Sequence, residues 1–210
     1  YLDNNATTPM APEVRDAMAP FLETEHGNPS SIHRAGYSAH EAVEKARRQV
    51  ASLVGARPRR MIFTGGGSES DNLAIKGVAF RHRDGAVVTT QVEHPAVLGA
   101  CGFLESMGYR VTRLKVDGEG LADPTALAEA LEAYAREGVL VRLVSVMAAN
   151  NEVGTVQPVR ELAALAREHG ALFHTDAVQA AGKLPVDVKE REVDLLTVSA
   201  HKFHGAKEAG

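Results

Sequence analysis

The chain has 210 residues, a formal net charge of −4 and a pI near 6.2, which give no basic footprint for nucleic acid. Its apolar fraction of 44% is ample for a buried core, and no apolar run approaches the roughly 18 residues of a membrane span. One cysteine excludes an intramolecular disulfide framework, and Tyr1-Leu2-Asp3-Asn4-Asn5 has no secretory-signal pattern, so a soluble protein of a reducing cytoplasm is expected.

Asn5-Ala6-Thr7-Thr8-Pro9 is turn-rich, Pro12 opens a helix to about Thr24, and Gly27-Asn28-Pro29-Ser30-Ser31 reads as a loop. A long amphipathic helix is predicted from about Ser38 to Val54, with Ala42, Ala46, Val50 and Leu53 on one face and Gly55 ending it. Strand and helix then alternate. Strand Met61–Thr64 runs through a glycine loop into a helix to about Arg83, and strand Ala86–Thr90 leads to helix Pro95–Met107 and strand Tyr109–Leu114. Helix Pro124–Arg136, strand Val139–Met147, helix Val159–His169 and strands Ala171–Thr175 and Asp194–Ser199 complete the pattern. This alternation predicts an α/β fold with a mostly parallel sheet and helices on both faces. Ligands of such sheets bind outside the carboxyl ends of the strands, where the polar motifs fall.

Thr64-Gly65-Gly66-Gly67-Ser68-Glu69-Ser70-Asp71-Asn72 joins a strand to a helix. Its glycines and helix N-terminus suit a phosphate, although it is neither a Walker loop nor a dinucleotide fingerprint, and a helix cap built from Ser68 is the alternative. His94, in Gln91-Val92-Glu93-His94-Pro95, is a candidate to lie over a planar cofactor and shuttle protons, against a solvent-facing loop histidine. Asn150-Asn151-Glu152-Val153-Gly154 offers an amide for a ring hydroxyl, or forms a plain Asn/Gly turn. Asp176, with Gln179 one turn on, ends one strand; Ser199-Ala200-His201-Lys202 ends the next. Helix capping and an exposed lysine are the plain alternatives, and His201 with His204 lacks a third metal ligand in any recognisable pattern. A lysine and an aspartate at neighbouring strand ends meet the needs of a pyridoxal 5′-phosphate (PLP) enzyme. The amine condenses with the cofactor aldehyde, and the carboxylate keeps the pyridine nitrogen protonated.

Taken together with Ala6-Thr7-Thr8-Pro9 and Gly27-Asn28-Pro29-Ser30, these motifs resemble the cysteine desulfurases of the class V aminotransferase superfamily, from Tyr1 to about Lys207. The resemblance implies a PLP fold type I large domain. Residues 1–35 would form an N-terminal arm and helix of the small-domain or interface region, and 36–210 an incomplete PLP-binding domain. It implies Lys202 as the cofactor lysine and Asp176 as partner of the pyridinium. His94 would stack on the ring as acid/base, Asn151 would sit near the ring and substrate carboxylate, and Gln179 would contact the phenolic oxygen. Gly67, Ser68, Ser199 and His201 would hold the phosphate. The implied reaction converts L-cysteine to L-alanine and passes sulfur, as a protein persulfide, to an acceptor or iron–sulfur scaffold protein, in a homodimer.

The family's attacking cysteine lies well beyond the PLP lysine, outside this sequence. Cys101 shares an apolar stripe with Val97, Leu98 and Leu104 and has no evident cation beside it, so a structural role is expected. Both ends read as those of a piece of a longer protein, a truncated product or a sequence with further segments. Another class V aminotransferase or lyase, an inactive interaction module and, more distantly, a nucleotide-binding Rossmann protein are the rivals. Against the last, no acidic residue ends the strand Ala86–Thr90.

Overall fold

A computed structural model describes residues 1–82 and 84–210. Five parallel strands form one sheet in the order β2-β1-β3-β4-β5. They are β1 (Gly85–Thr90), β2 (Arg110–Leu114), β3 (Leu140–Ser145), β4 (Leu172–Asp176) and β5 (Leu195–Thr197). The helices are α1 (Pro12–Glu23), α2 (Arg34–Leu53), α3 (Gly67–Arg81), α4 (Pro95–Ser106), α5 (Pro124–Arg136) and α6 (Val159–Glu168). The expected α/β fold is observed. No helix among the described residues is long and apolar enough to cross a membrane.

Side chains alternate along each strand, and the core divides accordingly. Val87 and Leu143 pack with Ile75 and Ala79 of α3 and Val97, Cys101 and Leu104 of α4. Ala86, Val88, Val144 and Phe173 face the opposite way, onto Leu127 and Leu131 of α5 and Leu162 and Ala166 of α6. Covered on both sides, β1 is buried along its whole length, which explains its continuous apolar and threonine run. Because β1 lies between β2 and β3, the chain reverses its winding between β1 and β3, and a crevice opens at their carboxyl ends.

Three expectations shift. The long helix starts at Arg34 rather than Ser38, because the His33 imidazole supplies the cap, its Nδ1 accepting from Gly36 N at 3.3 Å. Residues 61–64 join no ladder: Met61 closes a 3₁₀ turn, and Thr64 exchanges only one pair of hydrogen bonds with Gly210, at 2.9 and 3.1 Å. The expected end of the next helix at Arg83 lies outside the described residues; α3 ends at Arg81. The remaining strand and helix limits differ by a few residues at most.

Candidate active site

The carboxyl ends of β1, β3, β4 and β5, with the start of α3, enclose a cavity of about 250 Å³. Gly67, Ser68, His94, Asn151, Asp176, Gln179, Ser199, His201 and Lys202 all line it. Every site residue expected from the sequence therefore converges there. Asp71, Met147 and Ala6 complete the wall together with Val178.

The glycine loop builds one end. Gly66 has φ +144°, a conformation that L side chains rarely adopt, and Gly65 N donates to Glu69 Oε2 at 2.6 Å. No side chain caps α3, so Ser68 is not the cap that the sequence allowed, and the first-turn N–H groups are left to a ligand or to water. A Cβ on Gly67 would meet Val178 Cγ2 at 3.1 Å and Ser199 Cβ at 3.3 Å. Absence of a side chain keeps this cradle open beside the buried Ser199.

His94 is half-buried and caps α4, its Nδ1 accepting from Ala96 N at 3.2 Å. In the neutral ring the proton therefore sits on Nε2. The Asn150 amide is structural: its Oδ1 accepts from Glu152 N and Val153 N, and its Nδ2 donates to Val92 O at 3.0 Å. The Asn/Gly turn reading is right for this residue, and the turn delivers Asn151 to the cavity. Beneath both loops Glu93 is buried and accepts from Thr90 Oγ1 and Met147 N. Burial pushes its carboxyl up to about 8 against those two donors.

Asp176 is 5% exposed and uses Oδ1 to accept from Val178 N at 2.9 Å. Burial raises its pKa, while Val178 N–H, His94 and Lys202 pull it down. Asp71, 1% exposed on α3, is raised to about 8 by burial and by Asp176, so the two carboxyls bind protons as a pair. Its Oδ1 has no hydrogen-bond partner. His174 Nε2 lies 3.7 Å away, too far for a hydrogen bond, and burial depresses that imidazole to about 4, so no ion pair forms. His174 instead bridges Ser145 Oγ at 2.9 Å and Thr197 Oγ1 at 3.0 Å.

Ser199-Ala200-His201-Lys202 leaves β5 as a 3₁₀ turn held by the N-terminal arm. Thr8 donates to His201 O through both N and Oγ1 at 2.8 Å, and Thr7 Oγ1 lies 3.0 Å from His201 Nδ1. Asn5 reaches furthest. Its main-chain oxygen accepts from Lys202 Nζ and from Gln179 Nε2, and its Nδ2 donates to Asn151 O. Lys202 itself is shifted down, first by burial and then by Lys183.

Sequence reasoning assigned no role to Asn5, Asp71 or Glu93. A signal existed for Asp71, which precedes Ala74 and Ile75 by three and four residues and so shares their buried face. None existed for Asn5, whose partners lie up to 197 positions away. His201 and His204 turn their Nδ1 atoms to Thr7 and to Pro9 O, and no group among the described residues is placed to hold a metal. A larger open hollow of about 640 Å³ beside the start of α6 mixes Arg160, Glu161, Glu190 and Arg191 and lies away from these residues.

The class-V aminotransferase model matches residues 1–210. This chain belongs to the class-V aminotransferase family. It is 50% identical over its full length to the cysteine desulfurase IscS of Dictyoglomus turgidum, covering 52% of that protein. To the mouse cysteine desulfurase it is 47% identical, covering 45%. Among solved structures, one described as SspA in complex with cysteine superimposes with a TM-score of 0.94 at 40% identity, over all of this chain and 59% of that one. A NifS-like protein gives 0.91, also at 40% identity, with 57% covered. The class-V chain thus spans about half the length of the curated relatives it matches, and its fold is that of the PLP fold type I cysteine desulfurases.

Proposed function

We propose that this chain is the PLP-holding part of a cysteine desulfurase, which converts L-cysteine to L-alanine and hands the sulfur on as a protein persulfide. The observation that carries the reading is one cavity that joins Lys202 and Asp176 to an uncapped helix start. The residues fit the cofactor: an anion cradle that a Cβ on Gly67 would fill, a buried carboxyl one of whose oxygens is held by Val178 N, and an amine across the cavity. Relatives named as cysteine desulfurases and a related structure described with cysteine support the substrate.

When bound, PLP supplies an electron sink that stabilises negative charge at the substrate's α-carbon. The chain's own residues do the rest. Lys202 Nζ holds the cofactor and exchanges a proton near that carbon. Asp176 would keep the pyridine nitrogen protonated, the pyridinium charge favouring its carboxylate. His94 would cover the ring and move protons from Nε2, and Gln179 would donate to the phenolic oxygen. Gly67, Ser68, Ser199 and His201 receive the phosphate, and Asn151 orients the substrate. The sulfur-accepting cysteine is assigned to the part of the relatives that this chain does not span, because Cys101 is wholly buried. The IscS names support an iron–sulfur scaffold or other sulfur acceptor as partner. Helix α1 buries none of its residues and leaves Phe21 and Leu22 exposed, which supports a surface covered in the longer protein or its homodimer.

The test is the visible absorption spectrum of the chain with added PLP, followed by borohydride reduction and peptide mapping. A new visible band with the adduct on Lys202 is expected. Label scattered over surface lysines would sink the reading.

A further inference from the structure

Lys183 has no part in the proposed reaction, yet it is bonded to Gln179 of the cavity wall. Its Nζ donates to Gln179 Oε1 at 2.9 Å and to Asn5 Oδ1 at 3.2 Å. Lys202 Nζ donates to the main-chain oxygen of the same Asn5, which Gln179 Nε2 also approaches at 2.8 Å. One residue of the arm thus carries two ammonium groups, one on each of its oxygens.

We propose that Lys183 is a positioning residue that weakens Lys202 as a base, so that a larger fraction of Lys202 is the neutral amine at a given pH. Two cations held on the two oxygens of one residue feel each other's field, and each disfavours the other's charge. Only the neutral amine has a free lone pair for a carbonyl compound, and a cationic neighbour is a recognised means of supplying it. The proton that Lys202 gives up goes to solvent.

The asymmetry between the two lysines follows from their surroundings. Lys183 is exposed and donates to two amide oxygens. Lys202 is half-buried, and burial and Lys183 lower its affinity for a proton. Asp176 from β4 and Asp3 from the arm oppose that shift. On its own turn, His201 is itself shifted down, first by burial and then by Lys202 and Lys207. Lys183 is therefore the cation that adds to burial at Lys202.

The inference takes from the proposed function only that Lys202 is the reacting amine, and its test needs no cofactor. The cofactor-free full chain is acetylated with trace acetic anhydride from neutral to alkaline pH, and Lys202 is compared by mass spectrometry with the exposed Lys45 and Lys115. Lys202 is expected to label at lower pH than either reference. Lys183→Gln is expected to cut its relative labelling at neutral pH about two- to threefold, and Lys183→Arg to restore it. A Lys202 curve unmoved by Lys183→Gln, or not restored by Lys183→Arg, overturns the proposal. If the curve moves as expected while PLP gives no visible band, the proposed function fails and this inference stands.

Discussion

Glu93 holds Met147: both of its carboxyl oxygens accept the Met147 N–H, at 3.1 and 3.0 Å. This contact crosses 54 positions of sequence and ties the loop that carries His94 to the one that carries Asn151. The two loops leave adjacent strands, β1 and β3, at the point where the winding reverses.

Glu93→Ala removes the partner of a buried N–H and of Thr90 Oγ1, and is expected to cost about 2–4 kcal/mol in urea unfolding. Glu93→Gln should behave differently with pH. The unfolded carboxyl ionises above its ordinary 4.5, whereas the folded one keeps its proton to about 8, so the wild type loses stability as pH rises between those values. The Gln variant cannot ionise. Its unfolding midpoint relative to the wild type should climb from the lower pH to the upper one, and a constant difference would refute the neutral Glu93.

His174 acts on the acid side. Its folded value of about 4 lies below the ordinary 6.5, so the unfolded chain takes up the proton first, and stability falls as pH drops through that interval. His174→Asn should flatten this fall while costing about 1–3 kcal/mol at neutral pH through the lost bridge between Ser145 and Thr197. Acid titrations of both proteins, followed by circular dichroism, check the slope.

Gly67→Ala is expected to leave the fold intact with a small local adjustment, since its methyl would press on Val178 Cγ2 at 3.1 Å and Ser199 Cβ at 3.3 Å, side-chain atoms that can yield slightly. The same methyl narrows the proposed phosphate cradle, and PLP affinity should fall about tenfold or more, near 1.4 kcal/mol. Fluorescence titration with PLP decides it; unchanged affinity would move the phosphate elsewhere.

Cys101 is fully buried, and burial pushes its thiol up to about 11 despite the charge of Arg113, a cation that the sequence did not reveal. Alkylation by iodoacetamide should therefore require unfolding. Cys101→Ala should leave PLP binding unchanged and cost about 1–2 kcal/mol. Rapid labelling of the native protein would contradict this placement.

Alternation of apolar strands with amphipathic helices was enough to determine a parallel α/β sheet, because period and polarity are local properties of the chain. It also placed Lys202 and Asp176 at strand ends, since a buried run must stop where charge begins. Only the tertiary structure decided what those residues meet. The Asn5 bonds to Lys202 and Lys183, the Glu93 clamp on Met147 and the raised carboxyl of Asp71 beside Asp176 arise between segments far apart in sequence. Their energies depend on burial and on the distance between charges, and neither quantity exists until the sheet has brought those strand ends together.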